Sequence, residues 1–444
     1  MKTLLTLAWP IIISRSAQVV IGLADALMIA HLGESAMAAT TAGSLNAVAA
    51  MIFPMGIVFI VSSFSSQLTG RGDAAGARRY GCYGLATSFL AQLVMLPLLW
   101  LLPHILGALH YAPEVERLMT SYLSIRLLST GFAVGLEALA GYFGGLGDTA
   151  IGMRANMAAM VLNILFNWLT IDGRLGLPAM GVRGAALSSA LATFGGFCVI
   201  LTAFARSGGL AWSGLRWGEF KRMLGFGLPL GLNWSFEFYA FIAFVNIVVA
   251  GLGTSSLAAM MAVIQINSVA FMPAFGLASA GSILVGQRIG AGNKDAVPGI
   301  VKTTFTAAGG WMGLAALVYL AFPSLLLRPF VSPDTDGSFL RVGVGMLMMS
   351  ALWQAFDAGG MTLTEALRAA GDTAFPMWAR AGLAWGFFLP GSWIGVRWLG
   401  GDETTAMAFL LAYLGLLAIA LFIRFRSGAW RKIELVEEPL VPTA

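Results

Sequence analysis

The sequence predicts an all-α polytopic membrane protein, with twelve transmembrane helices in two six-helix lobes related by a pseudo-twofold axis along the membrane normal. Three observations carry this expectation. Of 444 residues, 58% are hydrophobic and only 11% charged, about half the charge of a soluble chain. Apolar runs of about 20 residues or more recur along the whole length, as crossing a bilayer requires. The two halves also repeat each other in outline.

Taken in order, the spans fall at 4–30, 37–66, 81–103, 117–145, 151–171, 183–205, 223–250, 256–287, 300–327, 338–367, 375–398 and 404–424. The first is read as a span and not a signal peptide. Its run is too long, contains Asp25 and lacks a small-residue cleavage site. Several spans exceed the minimum, so tilt or extension beyond the lipid is expected. Residues 1–205 form the first lobe, 206–222 a connector, 223–424 the second lobe and 425–444 a tail. Trp212, Trp217 and Phe220 mark the connector as an interfacial amphipathic piece.

Lys and Arg orient the spans. One set of loops, including Arg71, Arg78, Arg79, Lys221, Arg222, Arg288, Arg380 and Arg431, carries eighteen; the opposite set carries six. The positive-inside rule puts both termini in the cytoplasm, of a bacterial inner membrane by expectation. The net charge of +5 therefore reflects topology. No continuous basic face exists for nucleic acid; the lipid bilayer is the expected macroscopic partner, and nothing demands more than a monomer. Cys82 and Cys198 give no disulfide framework.

The repeat separates scaffold from chemistry. Pro10 pairs with Pro229 and Pro54 with Pro273, HLGESAMAA (31–39) resembles GLGTSSLAA (251–259), and LGDTA (146–150) resembles AGDTA (370–374). An even number of spans per unit makes both copies face the same way, the arrangement of parallel repeats. Shared features are scaffold. Asp148 or Thr149, and Asp372 or Thr373, are expected to N-cap the following helix. Gly141/Gly145, Gly227/Gly231 and Gly309/Gly313 read as close helix packing.

The acids break the symmetry. Glu237 falls opposite Gln18, Asp357 opposite Ala133, and Asp25 opposite a position near Phe244; Asn163 and Asn167 fall opposite Phe387 and Gly391. A membrane-buried carboxylate costs about 2.5–3.5 kcal/mol to insert and is a functional hypothesis by default. Asn163 and Asn167 are four apart, on one helix face, as are Asn233 and Glu237. Such carboxylates can alternate between protonated, ion-bound and substrate-paired states. Oxygen-rich clusters also suit a sodium ion, because hard cations prefer oxygen ligands. Glu137 reads as bonded to a neighbouring helix, Arg15 as a structural partner or a snorkelling residue, and Glu365 with Arg368 as a local pair.

With these residues in hand, the chain resembles the multidrug and toxic-compound extrusion (MATE) transporters over essentially its whole length. The marks are the 6+6 plan, Pro10 with Asp25 fifteen residues on, NILFNW at 163–168, GVRGAALSS at 181–189, and the Glu237/Asp357 pair of the NorM-type branch. The resemblance implies a first-lobe cation or proton site of Asp25, Asn163, Asn167 and Ser189, and a second-lobe site of Glu237 and Asp357. It also places Phe241, Asn233 and Trp353 at the cavity, with Phe241 able to meet a cation through its ring face. Sodium is expected at Asp25 or at Glu237 and Asp357, if sodium and not the proton is the coupling ion. Trp353 stands where NorM-type members can have tyrosine, and indole offers no oxygen to a metal.

The expected function is a secondary antiporter exporting drugs and organic cations against inward H+ or Na+, without a cofactor. A lipid-linked oligosaccharide flippase is the alternative, disfavoured by the acidic cavity candidates. An enzyme is not expected: HExxH, GxSxG and Cys/His clusters are absent from the sequence.

Overall fold

A computed structural model describes residues 1–107, 111–208, 214–331 and 337–437 of the chain. Regular structure among them is helical throughout, as lipid demands, because a helix satisfies its own backbone polar groups. Twelve helical spans follow one another. They are α1 (Lys2–Ile29), α2 (Glu34–Arg71), α3 (Ala74–Gly107), α4 (Pro113–Leu128 and Thr130–Leu146), α5 (Thr149–Thr170) and α6 (Val182–Arg206). The second series is α7 (Trp217–Leu252), α8 (Thr254–Gly290), α9 (Lys294–Ala321), α10 (Ser338–Ala370), α11 (Ala374–Ala381, Gly382–Phe388 and Leu389–Arg397) and α12 (Glu403–Arg426). The chain is thus a multi-pass membrane protein.

Several boundaries differ from the sequence reading for local reasons. α9 stops at Ala321, short of the expected 327, because Phe322 precedes Pro323 and leaves the helical region (φ −132°); a residue before proline avoids that region. α4 bends by 45° at Ser129. α7 and α11 each contain a π-helical turn, at Phe244–Val249 and Gly382–Phe388. Pro10, Pro54, Pro229 and Pro273 all lie inside helices.

Two compact units emerge, and the division falls inside two helices. One unit is Ile13–Gly231; the other is Met1–Ile12 with Leu232–Ala444. In the first unit Ile29, Met51, Met119, Tyr122 and Val182 are among the buried core residues. A Cβ added at Gly145 of α4 would come within 2.6 Å of Ser65 Cβ of α2, so these helices meet at van der Waals distance. The start of α7 is fastened to α3: Arg79 pairs with Glu219 at 2.8 and 2.9 Å, and Tyr83 Oη donates to Glu219 at 2.9 Å. Phe220 is buried against Tyr83, whereas Trp217 is exposed. Trp212 lies outside the described residues.

In the second unit Phe244, Val248, Phe388 and Tyr413 belong to the main core, and Leu4, Leu7 and Ala8 pack against Ala274 and Ala280. The tail folds back onto this unit: Leu435 and Val436 are buried, and Lys294 donates to the Arg431 carbonyl at 2.6 Å.

Two scaffold expectations are corrected. Asp148 and Thr373 occupy N-cap positions but make no side-chain cap bond; Asp372 instead accepts from Arg424 of α12 at 2.6 Å. A charge-assisted bond of that kind outcompetes a cap. Gly309 and Gly313 are not packing glycines: nothing lies within 4 Å of a Cβ at Gly313, and only Phe305 of the same helix lies near Gly309. A true side-chain cap occurs at Asp402, which accepts from the Thr405 amide at 3.1 Å. Backbone donors hold that carboxyl below its ordinary range.

Candidate functional site

The first unit gathers Asp25, Asn163, Asn167 and Ser189 into one cluster. Asp25 sits on α1, the asparagines one turn apart on α5, and Ser189 on α6. Asn167 Nδ2 donates to Asp25 Oδ1 at 2.5 Å, and Ser189 Oγ donates to Asp25 Oδ2 at 3.2 Å. Asn163 Nδ2 donates to Ser189 Oγ at 3.1 Å. All four are buried, both asparagines completely. The Asn167 amide oxygen has no hydrogen-bond donor among the described residues. The Asp25 carboxylate therefore rests on neutral donors, with the guanidinium of Arg126 within electrostatic reach. A cluster so built can exchange a proton, and its oxygens are of the kind a hard monovalent cation accepts.

The second unit holds a different cluster. Glu237 on α7 pairs with Arg380 on α11. Asp357 on α10 accepts the indole N–H of Trp353, four residues earlier, at 3.1 Å. Asp357 lies within electrostatic reach of both Glu237 and Arg380, and Tyr413 of α12 faces the same charges. Phe241 is partly buried against the main core. Asn233 is buried, and neither its amide nitrogen nor its oxygen has a hydrogen-bond partner among the described residues.

Arg380 is the residue that sequence reasoning misplaced. It stands six residues into α11, where it counted as a cytoplasmic anchor. It is in fact 7% exposed and faces Glu237. Only its spacing from the chain's buried acids, invisible without the fold, could have identified it.

The positions matching the first cluster are apolar in the second unit. Phe244 packs on Phe388 with ring centroids 4.8 Å apart, and Phe387 packs on Phe409 at 5.8 Å. A Cβ at Gly391 would come within 2.6 Å of the Phe409 ring. Each π-turn lies at one of these aromatic positions, Phe244 in α7 and Phe387–Phe388 in α11. Aromatic packing thus replaces the carboxylate and amides.

Two further pairs of charges lie within the helices. Arg15 meets Glu137 at 2.5 Å, and Arg368 meets Glu365 at 2.5 Å while donating to Ser282 at 2.9 Å. On the surface, His31 lies 2.8 Å from Asp172 just beyond the C-terminal end of α1. Among the described residues no group of three or more His, Cys, Asp or Glu is arranged to hold a metal ion.

The comparisons with known proteins agree on one kinship. The MatE family model matches residues 10–169 and 230–394. A probable multidrug resistance protein NorM of Mesorhizobium japonicum is 28% identical over 407 residues, covering 88% of this chain and 85% of that protein. The protein of the same name from Pseudomonas putida is 28% identical, covering 100% of this chain and 97% of its own. Among solved structures, a MOP superfamily transporter from Pyrococcus furiosus superposes with a TM-score of 0.87 at 18% identity, covering 97% of both chains. The Vibrio cholerae MATE transporter VcmN gives 0.87 at 19% identity over 98% of both.

Proposed function

The chain belongs to the MatE family, and on that premise we propose that it is a secondary active efflux antiporter, exporting amphipathic and cationic drugs while protons enter. The observation that carries the reading is the Asp25 carboxylate, buried and, among the described residues, hydrogen-bonded to the neutral side chains of Asn167, Ser189 and Asn163. A carboxylate so placed changes charge when it takes a proton, and Arg126 acts on it through electrostatic reach, without an ion pair among the described residues. The names of the NorM relatives supply the multidrug element.

In this account Asp25 carries the inward proton, with Asn163, Asn167 and Ser189 positioning it. Glu237 and Asp357 receive the cationic substrate, flanked by Phe241, Asn233 and Trp353. Occupancy by proton and substrate alternates as the repeats rearrange about the membrane-embedded sites. One inward elementary charge supplies about 2.3 kcal/mol per 100 mV, enough for a gradient of roughly fifty-fold, since about 1.4 kcal/mol is a tenfold ratio. The excess of basic residues in one set of loops supports cytoplasmic termini in a bacterial inner membrane. Nothing in the reading requires more than a monomer.

The test is ethidium efflux from proteoliposomes under a proton gradient or a sodium gradient imposed separately. Wild type is expected to respond to the proton gradient, and Asp25→Asn to lose that response by tenfold or more. Efflux driven by sodium alone would replace the proton by sodium at the Asp25 cluster. Failure of either gradient to move any cationic dye would remove the drug-antiporter reading.

A further inference from the structure

We infer that Arg380 is a tethered counter-cation that fixes the charge capacity of the second-unit cluster at one and excludes sodium from it. The inference rests on the antiport reading for its substrate class, but its central claim concerns charge.

Three charged side chains from three helices interact at this site: Glu237 of α7 is paired with Arg380 of α11, and Asp357 of α10 lies within electrostatic reach of both. A guanidinium stays protonated in proteins. With both carboxylates ionised, the formal charges leave a single negative charge. One proton, or one singly charged organic cation, therefore neutralises the cluster, and the two exclude each other. Without Arg380 the same two carboxylates would carry two negative charges, a set that hard inorganic cations accept.

Position supports this role. The Arg380 side chain is 9% exposed and the Glu237 side chain 36%. The cation is packed away behind the carboxylate, which stays approachable. Arg380 also lies within electrostatic reach of Asp357 and Tyr413. An inorganic ion seated between Glu237 and Asp357 would meet the fixed positive charge at close range. Asp357 accepts from the Trp353 N–H, which offers no oxygen lone pair, and the one phenol oxygen within electrostatic reach among the described residues, that of Tyr413, faces Arg380 as well. An organic cation differs in that its charge is diffuse and its bulk can rest on aromatic rings such as Phe241. It can meet Glu237 from the exposed side while Arg380 stays in place.

Two measurements on the purified full-length protein test this. The first is equilibrium binding of radioactive sodium, in an Asp25→Asn background so that the first cluster contributes nothing. The second is tetraphenylphosphonium affinity by calorimetry, in sodium chloride against choline chloride at equal ionic strength. With Arg380 present, no saturable sodium binding and equal affinity in both salts are expected. Arg380→Gln should gain saturable sodium binding, with tetraphenylphosphonium at least tenfold weaker in sodium than in choline. Arg380→Lys, which keeps the charge, should behave as wild type.

The double variant Glu237→Gln/Arg380→Gln restores a single negative charge and leaves no unpaired partner, so it serves if Arg380→Gln does not fold. It should again ignore sodium, and sodium binding by it would overturn the inference. So would an Arg380→Gln protein that folds and remains indifferent to sodium, or sodium binding by the Arg380-containing protein that Glu237→Gln abolishes. Sodium gained by Arg380→Gln while no variant binds tetraphenylphosphonium would uphold the role of Arg380 and remove the cationic-substrate reading.

Discussion

Arg15 and Glu137 show how single residues constrain this protein. Their ion pair at 2.5 Å joins α1 to α4 within the first unit, with side chains 18% and 9% exposed. Removing one partner of a buried pair strands the other charge, at a cost of about 3–5 kcal/mol, whereas removing both is often tolerated. Glu137→Gln is therefore expected to lower the detergent-solubilised melting temperature clearly, and Arg15→Gln/Glu137→Gln to recover most of the loss. Equal losses in the single and double variants would show that the pair does not act as a unit. This pair was legible in part: Glu137 was expected to bond to a neighbouring helix and Arg15 to be a structural partner or to snorkel, but the two were not expected to meet. The Asp25 cluster was more legible, since the four-residue spacing of Asn163 and Asn167 puts both amides on one face of α5. Arg380 was not legible at all, because its sequence position near a helix start is also that of a lipid-surface anchor.

At the scale of elements, the glycine pairs behave in two ways that the sequence treats alike. Gly145 has Ser65 Cβ at 2.6 Å and the Ser66 nitrogen at 2.8 Å from a built Cβ, while Gly313 faces open space. Gly145→Ala should cost about 1–3 kcal/mol by overpacking the α2–α4 contact. Gly313→Ala should be neutral or stabilise by up to about 1 kcal/mol, because alanine is the better helix former. Thermal unfolding of both variants checks this, and an equal effect would contradict the assignment of close packing to Gly145 alone. The same spacing therefore needs a facing helix before it means contact. The π-turns in α7 and α11 were also invisible beforehand. They coincide with Phe244 and Phe387, which stand opposite Asp25 and Asn163 of the first unit. The cap at Asp402 adds a pH effect. Its carboxyl titrates below the ordinary range, so its stabilisation of the α12 N-terminus is full above about pH 4. It is lost as pH falls through the depressed value. The protection of the first-turn amides of α12, measured as exchange relative to the intrinsic rate at the same pH, should fall on acidification, and Asp402→Ala should show that lower protection already at neutral pH.

Across the whole molecule, the repeat provides one scaffold and two unlike sites. Hydropathy and paired prolines made the twelve-span plan readable, since each span must be apolar and the duplication left marks on both halves. The division inside α1 and α7 was not readable, because it depends on packing along each helix and not on its composition. The two sites differ in the charge each can change. Asp25 is bonded to neutral donors, with Arg126 only within electrostatic reach, whereas Glu237 is paired directly with Arg380. That difference is the basis for separate proton and substrate roles.

The most direct measurement of this account is the proton balance of substrate binding. Tetraphenylphosphonium is added to detergent-solubilised protein in a weakly buffered solution near neutral pH, and the change in pH is recorded. The account predicts a saturable release of protons that follows binding, is indifferent to sodium and is lost in Glu237→Gln. Binding without any proton release, or with release of sodium in its place, would contradict it.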